Sequence, residues 1–261
     1  MSPPHRIGLL GYGRICRALA GYVDRDPAFE LAYVHVRSPR NDLPSDVQVT
    51  DVTELPHRSA DLVIEGAAPE AVPDLAEAVL PAADLVLLSG SALADPEVEV
   101  RLDRLAADHA SAVYLPHAAL LGIDGLVDAR SELRSVEIEA RKAPSHLDFA
   151  YTDEWDEADV TEPTVLYEGP VRGLCRTFPR NFNSHAAVAL ASLGLDDTRS
   201  RLVADPEADS ALHVVSASGD GFDLEITRDS AIEGVTGDYT LVSIWGSIRR
   251  ILHADDGVRF V

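Results

Sequence analysis

The sequence predicts an α/β fold: a doubly wound parallel sheet followed by a second domain of the α+β class. Three observations predict it. Short apolar segments alternate with amphipathic helical segments over the first 118 residues, glycines follow the first of these segments, and an alternation of apolar and polar residues replaces this pattern later. Nearly continuous apolar strands between helices are typical of a parallel sheet covered on both faces, as in the Rossmann arrangement.

The first domain, residues 1–118, contains five predicted strands and three predicted helices. The helix after the first strand places Ile15, Leu19 and Val23 on one face. Proline opens the second helix, over residues 69–80, and Asp95-Pro96 supplies an N-cap and a proline at the first helical position of the third. The predicted strands are residues 6–10, 29–36, 61–65, 84–88 and 112–115.

The second domain, residues 119–240, is predicted from a different pattern. Residues 135–140 alternate apolar and polar side chains, as a strand with one solvated face does. Residues 214–217 and 222–227 flank a turn rich in glycine and predict a hairpin. A helix is expected over residues 186–193. A last helical segment, within residues 241–261, is expected to return to the first domain.

The charge balance limits the kinds of partner. There are 44 acidic and 22 basic residues, which gives a formal net charge of −22. Nucleic acids and anionic membranes both need basic surface, so neither is an expected partner. Two isolated cysteines predict reduced thiols and a cytoplasmic location, and no apolar run is long enough to span a bilayer. No His or Cys cluster predicts a metal site.

The turn after the first strand predicts a dinucleotide site. Gly11 and Gly13 form a G-x-G pair, and the small residue Cys16 occupies the third position of the G-x-G-x-x-G pattern. Such glycines allow a tight turn and let the backbone approach a pyrophosphate at the helix N-terminus. Because the pair follows the first strand of a strand–helix series, we predict that residues Gly11, Gly13, Arg14 and Ile15 bind the cofactor.

The end of the second strand indicates which dinucleotide is bound. NAD sites usually place an acidic residue there to hold the ribose 2′-hydroxyl, whereas this chain has Arg37, Ser38 and Arg40. Two arginines and a serine are suited to a 2′-phosphate, so the sequence favours NADP over NAD. A solvated turn that accepts both cofactors is the alternative.

Several motifs, in order along nearly the whole chain, resemble those of the L-aspartate dehydrogenase family. Residues 178–187 read FPRNFNSHAA, which resembles the family pattern F-P-x-N-x-N-x-A-A, and are followed by A-D-P and then by His213. Residues 89–93 (SGSAL), 116–124 (PHAALLGID) and 141–144 (RKAP) resemble further family segments.

The resemblance implies a Rossmann domain joined to an α+β domain, and the oxidative deamination of L-aspartate to iminoaspartate with hydride transfer to a nicotinamide. It implies that His213 is the active-site histidine and that Ser89, Ala119 and Asn183 contact the cofactor. It also implies a homo-oligomer formed through the sheet of the second domain.

Two departures from the family pattern leave the substrate open. His117-Ala118 replaces a Ser-Gly pair, and Ser184-His185 replaces two small apolar residues. We therefore expect His117, His185 and Arg180 to line the substrate pocket. The alternatives are a related dehydrogenase or imine reductase that acts on a different amino acid, and a nicotinamide-binding sensor without turnover.

Two residues are predicted to carry the chemistry. Oxidation of an amino acid needs a base for the ammonium proton, and histidine, which titrates near neutrality, suits that role; we assign it to His213. Lys142 is the single lysine in a chain whose other 21 basic residues are arginines. A compact ammonium retained against that background predicts a role in binding a substrate carboxylate or a carbonyl oxygen.

Overall fold

The computed structural model describes residues 3–118, 120–231 and 238–252. It divides into two compact units. The first comprises Met1–Ser89, Glu97–Pro116 and Leu241–Val261, and the second comprises Gly90–Pro96 and His117–Thr240. The sequence places residues 90–96 in the first domain, whereas here they belong to the second unit, because the buried 3₁₀ turn Gly90–Ala94 packs on helices of that unit.

The first unit is built on a six-stranded sheet in which every pair of neighbouring strands is parallel. The strand order, β3-β2-β1-β4-β5-β6, is that of the Rossmann fold, so the predicted fold class is confirmed. The strands are β1 (His5–Leu10), β2 (Phe29–His35), β3 (Gln48–Val49), β4 (Leu62–Glu65), β5 (Asp84–Leu87) and β6 (Val113–Tyr114). The helices are α1 (Arg14–Arg25), α2 (Val72–Val79) and α3 (Pro96–His109).

The last described helix, α7 (Asp238–Ile251), contributes to the core of the first unit. Ile244 and Ile248 are buried among the apolar residues of β1, β2 and α1. The ring of Trp245 lies 4.8 Å from that of Phe29 and 5.6 Å from that of Tyr22, measured between centroids. Residues 253–261, which the predicted helical segment includes, lie outside the described residues.

The second unit contains a five-stranded mixed sheet in the order β11-β10-β7-β9-β8. The central strand, β7, is antiparallel to β10 and parallel to β9, and the hairpin β10–β11 is antiparallel, as the sequence predicts. The strands are β7 (Leu133–Lys142), β8 (Thr164–Pro170), β9 (Arg199–Ala204), β10 (Ala211–Gly219) and β11 (Phe222–Ser230).

One face of this sheet is covered by helices. The helices of the second unit are α4 (Ile123–Asp128), α5 (Val171–Thr177) and α6 (Asn183–Ala191). Seven of the nine residues of α6 are buried, among them His185 and Val188. A helix that is buried on all sides lacks the amphipathic pattern of a surface helix. Helix α6 accordingly lies inside the second unit.

Candidate active site

A cleft of about 420 Å³ opens in the first unit beside the turn between β1 and α1. Gly11 has φ +90°, and a Cβ there would lie 2.9 Å from the carbonyl oxygen of Gly66. A Cβ on Gly13, in contrast, would meet nothing within 4 Å. The lining residues are Gly11, Tyr12, Gly13, His35, Val36, Arg37, Ser38, Arg40, Gly66, Ala67, Ala68, Ala71 and Leu75.

The start of α1 is suited to a pyrophosphate. The N-cap residue Gly13 makes no side-chain cap, and no acidic residue lies in the first turn, so the positive end of the helix dipole is suited to an anion. The bare backbone of Gly13 allows the close approach that a phosphate needs. The predicted residues Arg14 and Ile15 both lie in this first turn, with the Ile15 side chain packed against the core.

The predicted 2′-phosphate residues Arg37, Ser38 and Arg40 all line this cleft, and no acidic residue is among its described lining residues. Arg40 donates from Nε and Nη2 to the carboxylate of Asp42, at 2.9 and 3.0 Å. Its guanidinium also lies 5.6 Å from the centre of the Tyr12 ring. The end of β2 is therefore cationic, although one of its arginines already has an acidic partner.

Glu65, at the end of β4, is a buried acid that the sequence analysis missed. Its carboxylate accepts hydrogen bonds from Ala67 N at 2.7 Å, Ser89 N at 2.9 Å and Ser89 Oγ at 3.0 Å. Burial raises the pKa of Glu65, and these hydrogen bonds oppose the rise. The predicted cofactor residue Ser89 thus holds Glu65, which ties together the chain segments that follow β4 and β5. An acid ending a fully apolar strand was the available signal.

The second unit brings together Lys142, His213 and Arg228 on the inner face of its sheet. All three are buried. His213 on β10 lies directly opposite Ala140 of β7 and Arg228 of β11 in the strand register. Lys142 ends β7, two residues beyond Ala140 and on the same face. The two residues predicted to carry the chemistry, Lys142 and His213, therefore lie on neighbouring strands. Arg228 is a third basic residue of the same group.

The rings of two residues at the start of α6, Phe182 and His185, lie beside these basic residues. Lys142 Nζ lies 4.8 Å from the centre of the Phe182 ring, which directly precedes the helix. The Phe182 and His185 rings are 4.8 Å apart, and the His185 and His213 rings 6.0 Å apart, between centroids. We call Lys142, His185, His213 and Arg228 the cationic cluster, because its charge comes from Lys142 and Arg228 and is positive.

Burial and repulsion between positive charges lower the pKa values of Lys142 and His213. Burial, followed by the charge of Arg228, lowers the pKa of Lys142 to about 8. Burial, followed by the charges of Lys142 and Arg228, lowers the pKa of His213 to about 3, against a small opposing effect of the Ala211 carbonyl. Both effects disfavour the protonated form. His213 is therefore a neutral imidazole near neutral pH.

Further predicted site residues have structural partners in the second unit. Asn183 Oδ1 accepts a hydrogen bond from Ser91 N at 3.0 Å and so holds the turn Gly90–Ala94 against α6. Arg180, expected in the pocket, is half exposed, lies 3.6 Å from the Asp148 carboxylate and stacks on the Tyr151 ring. His117 is partly buried just before the left-handed residue Ala118, at φ +51°. Ala119 lies outside the described residues.

The described residues contain neither a metal-binding group of side chains nor a membrane-spanning helix. No three or more His, Cys, Asp or Glu side chains in residues 3–118, 120–231 and 238–252 are grouped so that they could hold a metal ion. No helix in the described part of the chain is long and apolar enough to cross a membrane.

Models of two protein families match the chain. Residues 124–251 match the C-terminal domain of aspartate dehydrogenase, and residues 11–116 match the NAD-binding domain of homoserine dehydrogenase. The second match covers the glycine turn and the cleft, and the first covers the cationic cluster.

Similar proteins span most of the chain. An L-aspartate dehydrogenase of Methanosarcina acetivorans is 33% identical over 82% of this chain and 84% of its own length. One from Nitrosopumilus maritimus is 31% identical over 82% of this chain and 83% of its own. The crystal structure of an aspartate dehydrogenase from Thermotoga maritima has a TM-score of 0.76 at 24% identity, over 98% of this chain and 99% of that one.

Proposed function

The chain belongs to the aspartate dehydrogenase family, and we propose that it oxidises L-aspartate to iminoaspartate, which water converts to oxaloacetate and ammonia. Membership makes it an oxidoreductase that uses a nicotinamide cofactor and acts on a small amino acid. The identity of the amino acid, the choice between NAD and NADP, and the roles of individual residues are the proposal.

The observation that carries the proposal is the cationic cluster. In a chain of net charge −22, Lys142, His213 and Arg228 are buried together, and the charges that lower the pKa values of Lys142 and His213 are all positive. Asp229 and Tyr239 favour the charge of Arg228, whereas the charged partner that affects the pKa of Lys142 is the positive Arg228. Burying positive groups together in a low-dielectric site is costly unless an anion completes it. A dicarboxylate brings two negative charges, which suits aspartate better than an amino acid with a neutral side chain.

We assign carboxylate binding to Arg228 and Lys142. The planar guanidinium of Arg228 can hold a carboxylate with two parallel hydrogen bonds. Its guanidinium stacks 5.6 Å from the centre of the Tyr239 ring, which restricts its orientation. The Lys142 ammonium, as a compact charge with three donors, suits the second carboxylate or the carbonyl oxygen of the product.

We assign proton transfer to His213. One proton of the substrate ammonium must leave before the Cα–H bond can deliver its hydride, and a neutral imidazole can accept it. In the protein alone the pKa of His213 is too low for this work, at about 3. Burial is the main cause of this low pKa, and the charges of Lys142 and Arg228 add to it. A bound dianion offsets those two charges, so substrate binding raises the pKa of His213 and favours proton acceptance.

The cofactor supplies the hydride acceptor when it is bound in the cleft of the first unit. We propose that Gly11, Gly13 and the N-terminus of α1 hold its pyrophosphate, since Gly11 forms the tight turn, Gly13 leaves room there, and the N-terminus of a helix attracts an anion. Ser89 supports this site through Glu65.

We propose that NADP is preferred and that NAD is also accepted. Arg37, Ser38 and Arg40 line the cleft, whose described lining residues include no acid to hold a 2′-hydroxyl. Because Arg40 is paired with Asp42, Arg37 is the arginine whose loss should matter most. Arg37→Ala should raise the KM for NADP several-fold and leave that for NAD within about twofold; an equal effect on both would contradict the assignment.

The test is an assay of nicotinamide reduction by L-aspartate, and of its oxidation by oxaloacetate with ammonia. L-Asparagine and L-alanine serve as substrates that lack the second negative charge. We expect turnover in both directions and a kcat/KM for L-aspartate at least tenfold above those of the other two. Faster turnover of another amino acid would favour the related-dehydrogenase alternative. Cofactor binding without any turnover would favour the sensor.

We further propose a homo-oligomer in a reducing cytoplasm. The oligomer rests on the family resemblance alone. The location is supported by Cys16 and Cys175, which are both buried free thiols whose pKa values burial raises to about 12. Light scattering of the purified protein would measure its mass directly; a single-chain mass would contradict the oligomer.

A further inference from the structure

His185 is a buried histidine at a position where the family pattern has a small apolar residue. It lies on α6 with no exposed surface. Its Nδ1 is 2.7 Å from Ser200 Oγ on β9, and its Nε2 is buried without a hydrogen-bond partner among the described residues. A buried ring nitrogen without a hydrogen-bond partner destabilises the folded protein, so a histidine at this position needs a physical reason.

The unsatisfied nitrogen has a counterpart on the neighbouring strand. His213 Nδ1 is also buried and has no partner in ordinary hydrogen-bond geometry among the described residues, although the backbone of Ala211 favours the protonated His213 ring. The two rings are 6.0 Å apart between centroids and are inclined at 68°. No direct hydrogen bond joins them, and two rings at this separation can be joined by one bridging water when the unpartnered nitrogens face each other. A buried water typically satisfies such otherwise unmatched polar groups.

The proton positions required by the proposed chemistry suit such a bridge. For His213 Nε2 to accept a proton, His213 Nδ1 must carry the hydrogen and needs an acceptor for it. A water can accept that hydrogen and donate one of its own to His185 Nε2. His185 Nδ1–H then donates to Ser200 Oγ. This assignment gives every nitrogen of the two rings a defined role and fixes the tautomer of both.

We propose that His185 is a positioning residue for His213. Ser200 fixes the tautomer of His185, and one water that bridges the two rings then favours the Nδ1–H tautomer of His213. The inference rests on the proposed function, because it assumes that His213 Nε2 is the base. In this proposal His185 takes no proton from the substrate and contacts neither the substrate nitrogen nor its Cα.

The charged groups around His185 are consistent with a neutral relay. His213 on β10 and Lys142 on β7 both face it and, after burial, are the causes that lower the pKa of His185 well below its usual value. Arg228 on β11 lies beyond His213. Phe182, which directly precedes its own helix, packs edge-on against the His185 ring and contributes no charge. A neutral His185 orients His213 without adding another positive charge to the cluster.

The test compares His185→Leu, which removes both nitrogens, with His185→Gln, whose amide can replace Nε2 in hydrogen bonding. Ser200→Ala removes the group that fixes the tautomer and keeps the ring. Ser192→Ala is the matched control, because Ser192 is a buried serine just beyond α6 that bonds to Val188 O and Thr198 outside the cluster.

The first measurement is the tautomer of His213 by NMR of its ring nitrogens, which needs no turnover. We expect the Nδ1–H form in the unaltered protein, in His185→Gln and in Ser192→Ala, and a mixture in His185→Leu. Ser200→Ala should give an intermediate population. An unchanged His213 tautomer in folded His185→Leu would overturn the proposal, whether or not the protein oxidises aspartate.

The second measurement is the pH profile of kcat/KM. A positioned base contributes about 10²–10⁴-fold to rate. We therefore expect His185→Leu to lose about tenfold or more, with its acid limb moved to lower pH, and His185→Gln to recover most of that loss. Equal losses in both variants with unmoved limbs would show a packing role only and would overturn the proposal.

Discussion

The Lys142 ammonium nitrogen lies 4.8 Å from the centre of the Phe182 ring, on a residue that is 3% exposed, with no hydrogen bond or ion pair to another described residue. The face of an aromatic ring attracts a cation only weakly compared with a carboxylate. Lys142 is therefore a charge held in the protein without its natural counter-ion, and its titration is open to measurement.

Lys142→Met should stabilise the protein near neutral pH. The pKa of Lys142 is about 8 in the folded protein against 10.5 when exposed, so the unfolded chain binds more protons between these values. The free energy of unfolding therefore rises with pH from about 8 to 10.5 in the unaltered protein. At pH 7 the Met variant should be more stable by about 3 kcal/mol. Chemical denaturation at several pH values measures both effects.

Lys142→Arg is the matched control, because a guanidinium does not titrate in this range. Its unfolding free energy, relative to that of Lys142→Met, should show no dependence on pH between 8 and 10.5. A stability difference between unaltered protein and Lys142→Met that stays constant across the range would contradict the lowered pKa.

Binding of a dicarboxylate should raise the pKa of His213. Lys142 and Arg228 lower it electrostatically, and a dianion between them cancels part of that effect. Titration of the His213 ring by NMR should show the pKa move up from about 3 by at least one unit with succinate. Butyrate, with one carboxylate, should move it less. Equal shifts with the two ligands would argue against a site for two carboxylates.

Substitution of the two glycines of the turn should separate folding from cofactor binding. Gly11→Ala places a Cβ 2.9 Å from the Gly66 carbonyl oxygen at φ +90° and should lower stability by about 2 kcal/mol or more. Gly13→Ala meets nothing within 4 Å, so it should change stability little and instead weaken cofactor binding about tenfold. Denaturation curves and nucleotide fluorescence titrations distinguish them; normal affinity in Gly13→Ala would contradict the pyrophosphate assignment.

Glu65→Gln should destabilise the first unit and weaken cofactor binding together. The Glu65 carboxylate accepts from three donors, on Ala67 and Ser89, whereas an amide has one oxygen and turns its NH₂ group toward another donor. The expected cost is about 1–3 kcal/mol. Glu30→Gln, on an exposed position of β2, should change neither quantity. A Glu65→Gln protein of unchanged stability would show that the carboxylate does not hold these segments.

The doubly wound parallel class of the first sheet could be predicted from the sequence because most of its strands are largely apolar and its helices show clear starts. β3 was missed because it is only two residues long. β8 and β9 were missed because each carries polar or charged residues on its exposed positions, as in Thr164–Pro170 and Arg199–Ala204. Such strands are determined by their pairing with neighbours, which the local sequence does not show.

The candidate site was predicted unevenly. Lys142 could be identified because it is the single lysine of the chain, and His213 because it matches the histidine that follows A-D-P in the family pattern. Arg228 was missed, although it continues the inward face of β11 after Leu224 and Ile226. A charged residue at an inward position of an alternating strand is the signal that could have found it. The His185–Ser200 contact joins residues 15 positions apart on different elements, and no local pattern encodes it.

The central claim is that the buried cluster around His213 oxidises L-aspartate, and the most direct test is the rate of nicotinamide reduction by L-aspartate in His213→Asn. The control is His146→Asn, since His146 is in the same unit and also has a buried ring nitrogen without a described partner. We predict a fall of about 10²–10⁴-fold in kcat for His213→Asn and a near-normal rate for His146→Asn. Folded His213→Asn that turns over L-aspartate at the unaltered rate would contradict the claim.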